Sequence, residues 1–186
     1  MVEHRSSLIR LDDAQTVRLD DSGRSPAYFC LRKPVAVTRE LIADLMARGK
    51  GAGQGIRLCL HEGPEALLHD MIVVQYAGQY FRPHKHLEKG ESYHMIEGEM
   101  GVVIFDDGGR TVDACRMGAS GTAIYGVGTG MYHANFPLTE VAVYHESRPG
   151  PFAAGDSVFA PWEPDGEDEK ATREFMVELS RKLPPA

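Results

Sequence analysis

The chain has 186 residues, 42% of them hydrophobic and 25% charged, with a formal net charge of −7. That length supports one sizeable core, and the acidic balance, with no Lys/Arg run, offers no footprint for a phosphate backbone, so nucleic acid is excluded as an expected partner. Cys30, Cys59 and Cys115 fit neither a disulfide framework nor a CxxC knuckle, and with no apolar leader and no stretch approaching the roughly 18 apolar residues of a membrane span, a cytoplasmic chain without a membrane partner is expected.

Residues 1–37 are polar and broken by Gly23, Pro26 and Pro34, which predicts an irregular N-terminal arm with one β-like run, Ala27 to Leu31. Thr38 is a good N-cap, and Leu41, Ile42, Leu45 and Met46 recur at helical spacing until Gly49 supplies a stop. Residues 38–55 therefore read as one short amphipathic helix and a flexible glycine-rich linker. The linker is no phosphate cradle, because it follows a helix, lacks the GKS/T ending, and has Ile56 where a dinucleotide fingerprint needs its third glycine.

From Ile56 the period changes to two. Runs at 56–61, 71–76, 79–86, 92–96, 101–105, 111–115, 122–127, 131–136 and 141–146 are separated by turn signals, of which Asp106-Asp-Gly-Gly109 and Glu97-Gly-Glu99 are the clearest. About nine short strands without intervening helices predict a mainly β fold, an antiparallel sandwich or jelly-roll barrel, over residues 56–162. Residues 163–186 complete the chain with an acidic turn and an amphipathic helix whose stripe is Phe175, Met176, Leu179 and Leu183.

The chemistry concentrates after Gly78. His84 and His86 are one residue apart on a predicted strand, so both imidazoles point to one face. Glu91 follows a short loop containing Gly90, which lets the chain bring its carboxylate back to the pair, and a third imidazole can come from His133, three residues after Gly130. Three imidazole nitrogens and a carboxylate suit one divalent ion of iron, manganese, nickel, copper or zinc, with a position left for water or substrate. A turn histidine is the alternative reading of His133.

Gly78, five residues, His84-Lys-His86, four residues, Glu91, six residues and Gly98 resemble the first cupin motif at every fixed position. The second cupin motif is partial: Gly130 and His133 are in register, while Thr122, Gly128 and Pro137 replace its leading glycine, its proline and its asparagine. More narrowly, Thr38 to Trp162 is similar to the WbuC-type cupin-fold metalloproteins, through Arg57-Leu-Cys-Leu-His61, Leu68-His-Asp-Met71, Arg82-Pro-His-Lys-His86, Phe105-Asp-Asp-Gly108, Gly130-Met-Tyr-His133, Gly150-Pro-Phe152 and Ala160-Pro-Trp162. The resemblance implies a single cupin barrel (double-stranded β-helix) with short flanking helices and a metal site, in a family often linked to surface-polysaccharide gene sets, and it implies no particular reaction.

Strand parity gives Tyr80 and Arg82 the face of His84 and His86, and Tyr93 the face of Glu91, so these three are the catalytic candidates beyond the ligands. His94 has the opposite parity. Arg82 is either a clamp for an anionic group or a rim arginine in an ion pair. Arg57, Cys59 and His61 line either a pocket or the solvent side of an outer strand, His69 and His145 read as structural or ligand-orienting histidines, and Lys89 is either a movable charge over the metal or a solvated loop residue. Three functions fit: a metalloenzyme acting on a sugar derivative or oxo-acid as isomerase, epimerase or oxygenase; a metal-dependent binder of a small sugar or carboxylate; and a structural metal site in an assembly module. The compatible partners are a small-molecule ligand and a second copy of the chain.

Overall fold

The computed structural model describes residues 9–23, 25–153 and 155–185, so the first eight residues of the expected arm lie outside the described residues. In chain order the elements are β1 (Val17–Asp20), β2 (Ala27–Cys30), α1 (Arg39–Ala52), β3 (Ile56–Cys59), β4 (Leu68–Tyr76), β5 (His84–His86), β6 (Glu91–Glu97), β7 (Met100–Phe105), β8 (Thr111–Met117), β9 (Ile124–Val127), β10 (Tyr132–Pro137), β11 (Val141–Pro149), β12 (Ser157–Phe159) and α2 (Glu169–Arg181). One sheet runs β1-β2-β3-β4-β11-β6-β9 and the other β12-β5-β10-β7-β8. Neighbours are antiparallel except β2 and β3, which are parallel. The expected mainly β jelly roll with flanking helices is borne out, as two facing sheets rather than one closed ring of hydrogen bonds.

Coverage of both faces at the central strands explains their sequences. In β7 Val102 and Ile104 point inward to Tyr93, Met117 and Tyr144, while Val103 and Phe105 point outward under α2, where Leu179, Phe175 and Trp162 close over them. A strand apolar on both faces is the signature of such double burial. On the other sheet Ile72 and Val74 of β4 pack against Leu41, Ile42 and Leu45 of α1, leaving Met71, Val73 and Gln75 for the interior.

Two expectations are corrected. The arm is not irregular: β1 pairs with β2, which extends the sheet through β3, and Ile9, Leu11, Val17, Tyr28 and Cys30 join the core beneath α1. Buried Thr16 organises the preceding turn by accepting from the Arg10 N–H at 3.1 Å and donating to the Arg10 carbonyl at 2.8 Å. Such side-chain turn bonding has no period to read. Likewise Gly49 does not end α1, which starts on the Thr38 hydroxyl, accepting from the Leu41 N–H at 3.2 Å, and closes on Gly53 at φ 66°. Gly49 is helical and buried, because a Cβ there would lie 2.8 Å from Ile56 Cγ2 and 3.1 Å from the Tyr76 ring. It permits close packing of helix on strand rather than flexibility.

The expected strand over 79–86 shrinks to β5. Pro83 carries no N–H for a ladder, and its carbonyl instead accepts from the Ala160 N–H at 2.9 Å. β5 is held on one side by β12 and on the other by β10, where His84 lies directly opposite His133.

Candidate metal centre

His84 and His86 come from β5, Glu91 from the first position of β6 and His133 from β10. One ligand atom from each lies within 4.8 Å of the other three. His133, His86 and Glu91 are buried and His84 half-buried. The His133 Nε2 atom is 2.7 Å from Glu91 Oε1, and His86 Nε2 is 3.3 Å from Glu91 Oε2.

The opposite ring nitrogens explain how the imidazoles are aimed. His84 Nδ1 bonds the Arg82 carbonyl at 3.0 Å and His133 Nδ1 the Met131 carbonyl at 3.0 Å. His86 Nδ1 lies 3.1 Å from Ser157 Oγ and 3.5 Å from the Asp156 carboxylate. A ring whose Nδ1–H donates outward presents its Nε2 lone pair inward, the arrangement by which outer partners orient metal-ligating histidines. Although 2.7 Å from Glu91 Oε1, buried His133 Nε2 makes no hydrogen bond among the described residues, and the residue as a whole is 1% exposed. A buried lone pair facing a carboxylate and two further imidazoles fits a cation, so this donor set could hold a divalent ion such as iron, manganese, nickel, copper or zinc.

The electrostatics agree with a cluster built around a charge. Burial opposes ionisation of Glu91, but the adjoining His133 and His86 imidazoles hold it well below the usual carboxylate range. Burial and the neighbouring His133 push His84 down to about 4, which leaves it neutral and able to ligate.

A cavity of about 490 Å³ reaches the centre, with His84 and Glu91 in its wall. Tyr93, Arg82, Arg57, Gln75, Asn135, Tyr144, Glu146 and Arg148 also line it. Of the sequence candidates, Tyr93 sits beside the centre and donates its hydroxyl to Glu91 Oε1. Arg82 reaches the cavity, but its guanidinium is held by buried Glu163 at 2.5 Å and lies 4.4 Å over the Phe159 ring. Tyr80 does not line the cavity: its hydroxyl donates to Glu163 at 2.5 Å and its ring packs edge-on to Phe175. The parity argument for Tyr80 fails because residue 80 lies outside any strand. His94 is exposed, and Lys89 is tied to the Pro151 carbonyl and to Asp156.

Glu146 and Arg148 of β11 were not singled out by sequence. Tyr144, Glu146 and Arg148 alternate along the strand and all face the cavity, so period-two reading of β11 alone could have found them. Burial and the nearby Glu91 carboxylate push Glu146 up to about 7. Of the residues left open, Arg57 lines the cavity, His145 lies 3.3 Å from Asp70, and buried His61 and His69 stack with ring centres 4.3 Å apart.

Burial and the adjacent His69 push His61 down from 6.5 to about 4. The unfolded chain therefore takes up this proton first, and stability present above pH 6.5 is lost as pH falls towards 4. The melting temperature should drop across that window, with His61 contributing on the order of 1 kcal/mol. A His61→Gln variant should show a shallower drop; an identical drop would remove His61 from the account.

Residues 38–117, fewer than half of the chain, match a family model described as a domain of unknown function (DUF6016). No curated protein matches. Among solved structures the chain is similar to the capsular polysaccharide assembling protein CapF from Staphylococcus aureus, at 13% identity over 55% of this chain and 31% of that one, with a TM-score of 0.48. It is also similar to SO0799 from Shewanella oneidensis, at 11% identity over 66% of this chain and 78% of that one, TM-score 0.47, and to a variant of Bacillus subtilis oxalate decarboxylase OxdC, at 18% identity over 50% and 24%, TM-score 0.41. The chain thus spans less than a third of CapF and about a quarter of OxdC. No residue role follows from likenesses at this level. Among the described residues no helix is long and apolar enough to cross a membrane.

Proposed function

We propose that this chain is a metal-dependent enzyme of the cupin kind, holding one divalent ion with His84, His86, Glu91 and His133 and acting on a small polar metabolite. The observation that carries this reading is the outward anchoring of all three Nδ1 atoms, which leaves the Nε2 lone pairs converging on the Glu91 carboxylate. When bound, such an ion supplies Lewis acidity, polarising a substrate oxygen or acidifying water.

The chain's own residues divide the remaining work. Tyr93 steadies the Glu91 carboxylate. Glu146 stands in the wall of the same cavity and is the acid placed to take a proton from a bound molecule or return it. A carboxylic acid near neutrality beside a Lewis-acid position supports isomerisation or epimerisation of a sugar derivative or oxo-acid over oxygenation. A setting in surface-polysaccharide metabolism rests on the WbuC-type resemblance between Thr38 and Trp162. A purely structural metal would be closed off by protein ligands, whereas two of these four residues line a cavity.

The test has two stages. Elemental analysis of protein purified without added metal, and again after loading, should find one ion per chain; none under any loading condition would sink the centre. The loaded protein is then incubated in D2O with a panel of aldoses, ketoses, sugar acids and oxo-acids. Exchange of a carbon-bound hydrogen for deuterium, followed by proton NMR and lost in Glu146→Gln, is expected. Saturable binding without exchange or turnover would transfer the site to the non-catalytic binder reading.

A further inference from the structure

The cavity carries more positive charge than its ligand set requires. Its ionisable lining outside the histidines and tyrosines comprises Arg57, Arg82, Arg148, Glu91 and Glu146. Arg82 is already neutralised, with Glu163 Oε1 at 2.5 Å from Nη2 and 2.7 Å from Nε. Arg57 is not paired in this way: its guanidinium approaches Ser25 Oγ at 3.5 Å, and no carboxylate lies within ion-pair distance of it among the described residues. Arg148 Nη1 lies 3.2 Å from His86 Nε2, and its Nε is 3.8 Å from Glu146 Oε1, too long for a hydrogen bond.

That Arg148 contact uses the ring nitrogen that a metal ion needs. Both cannot occupy one lone pair, so an ion held by His86 would displace this contact and leave the Arg148 guanidinium, already in the cavity wall, for an occupant. Even with both Glu91 and Glu146 ionised, these carboxylates only balance Arg57 and Arg148, and a divalent ion adds two positive charges that no side chain in the wall compensates. A desolvated site with such an excess favours a ligand of matching negative charge.

A second, independent feature points to a ligand. Gln75 lines the cavity from β4, is 3% exposed, and has a side-chain oxygen without a hydrogen-bond partner among the described residues. Buried acceptors are paired in folded proteins, so an orphan in a cavity wall calls for a hydroxyl or amine donor on the occupant.

We propose that the cavity binds a small dianionic hydroxycarboxylate, a dicarboxylic sugar acid or its close kin, with Arg57 and Arg148 contacting its anionic oxygens and Gln75 accepting from a hydroxyl. The charge count rests on the metal reading above; the two arginines and the glutamine belong to the chain alone. Guanidinium forks suit carboxylates, which explains arginine rather than lysine at both places. The volume of about 490 Å³ is in the range for small metabolites.

Tartrate is the probe, and erythritol, a neutral polyol with the same number of carbons, is its control. Calorimetric titration of the zinc-loaded chain should give one tartrate site, with erythritol roughly 100-fold weaker. Arg57→Gln and Arg148→Gln should each weaken tartrate about tenfold or more at unchanged zinc content, with Arg→Lys at the same positions falling between. Gln75→Leu should weaken tartrate more than succinate, which lacks the hydroxyls; equal weakening of the two would overturn the hydroxyl contact. Melting curves of each variant separate misfolding from lost contacts, and a variant that melts early is replaced by its lysine counterpart. No tartrate binding to the zinc-loaded chain, equal affinity for erythritol, or tartrate affinity unchanged in all arginine variants would overturn the proposal. Failure of zinc to bind at all is read separately by elemental analysis and sinks the metal reading; tartrate binding by the metal-free chain that still falls in the arginine variants would keep the anion site.

Discussion

Glu91→Gln is expected to cost at least about 100-fold in affinity for a divalent ion while leaving the chain folded. The carboxylate is the single anionic member of the cluster, with one oxygen 2.7 Å from His133 Nε2 and the other 3.3 Å from His86 Nε2. Glutamine keeps the shape and one acceptor oxygen for the Tyr93 hydroxyl, but removes the charge that opposes the ion's own. Its amide nitrogen also has no lone pair to offer a metal. Without metal, the substitution exchanges a buried carboxylate for a neutral group, so intrinsic stability should change by only about 1 kcal/mol. Thermal melts with and without zinc distinguish the two effects: the unaltered chain should gain stability with ligand concentration and the variant should not. Retention of one ion per chain at unaltered affinity in Glu91→Gln would remove Glu91 from the centre, and the same outcome in His84→Ala would remove the centre itself.

The sequence made the centre legible because its chemistry is local. His84, His86 and Glu91 fall within eight residues and use a strand period and one loop, both of which can be read without tertiary information. His133 is nearly fifty positions away, and what joins it to His84 is the β5–β10 pairing, a long-range event with no sequence signature beyond Gly130. The cavity wall was less legible for the same reason. Arg57 could be assigned to an inward or an outward face only once α1 was known to cover the other side of β3 and β4. Glu163, which neutralises Arg82 and takes the Tyr80 hydroxyl, sits in an acidic run that composition alone assigns to solvent. In the N-terminal segment the four-residue strand β1 was too short to establish a period, and the parallel β2–β3 pairing spans the whole of α1.

Gly98→Ala is expected to destabilise the chain by about 3–5 kcal/mol, combining the cost of a left-handed backbone for a residue with a Cβ and that of overpacking a closed site. Gly98 ends the ligand-bearing strand β6 at φ 77° and turns the chain into β7. An ideal Cβ there would lie 2.2 Å from the Val141 carbonyl oxygen and 2.6 Å from Thr139 Oγ1. The first of these is backbone at the start of β11 and cannot swing aside as the end of a flexible side chain would. Thr139 is itself engaged, accepting from the Glu99 N–H at 2.9 Å and donating to the Val141 carbonyl at 2.6 Å, so relief of the clash must break one of two turns. At roughly 2–4 °C per kcal/mol for a chain of this size, the melting temperature should fall by about 10 °C. Because the turn lies at the opposite end of β6 from Glu91, zinc should still bind the folded fraction at low temperature and recover part of the lost stability. A melt within 2 °C or so of the unaltered chain would mean that the β6–β7 turn relaxes freely and that the glycine in this position of the motif is not required by its packing.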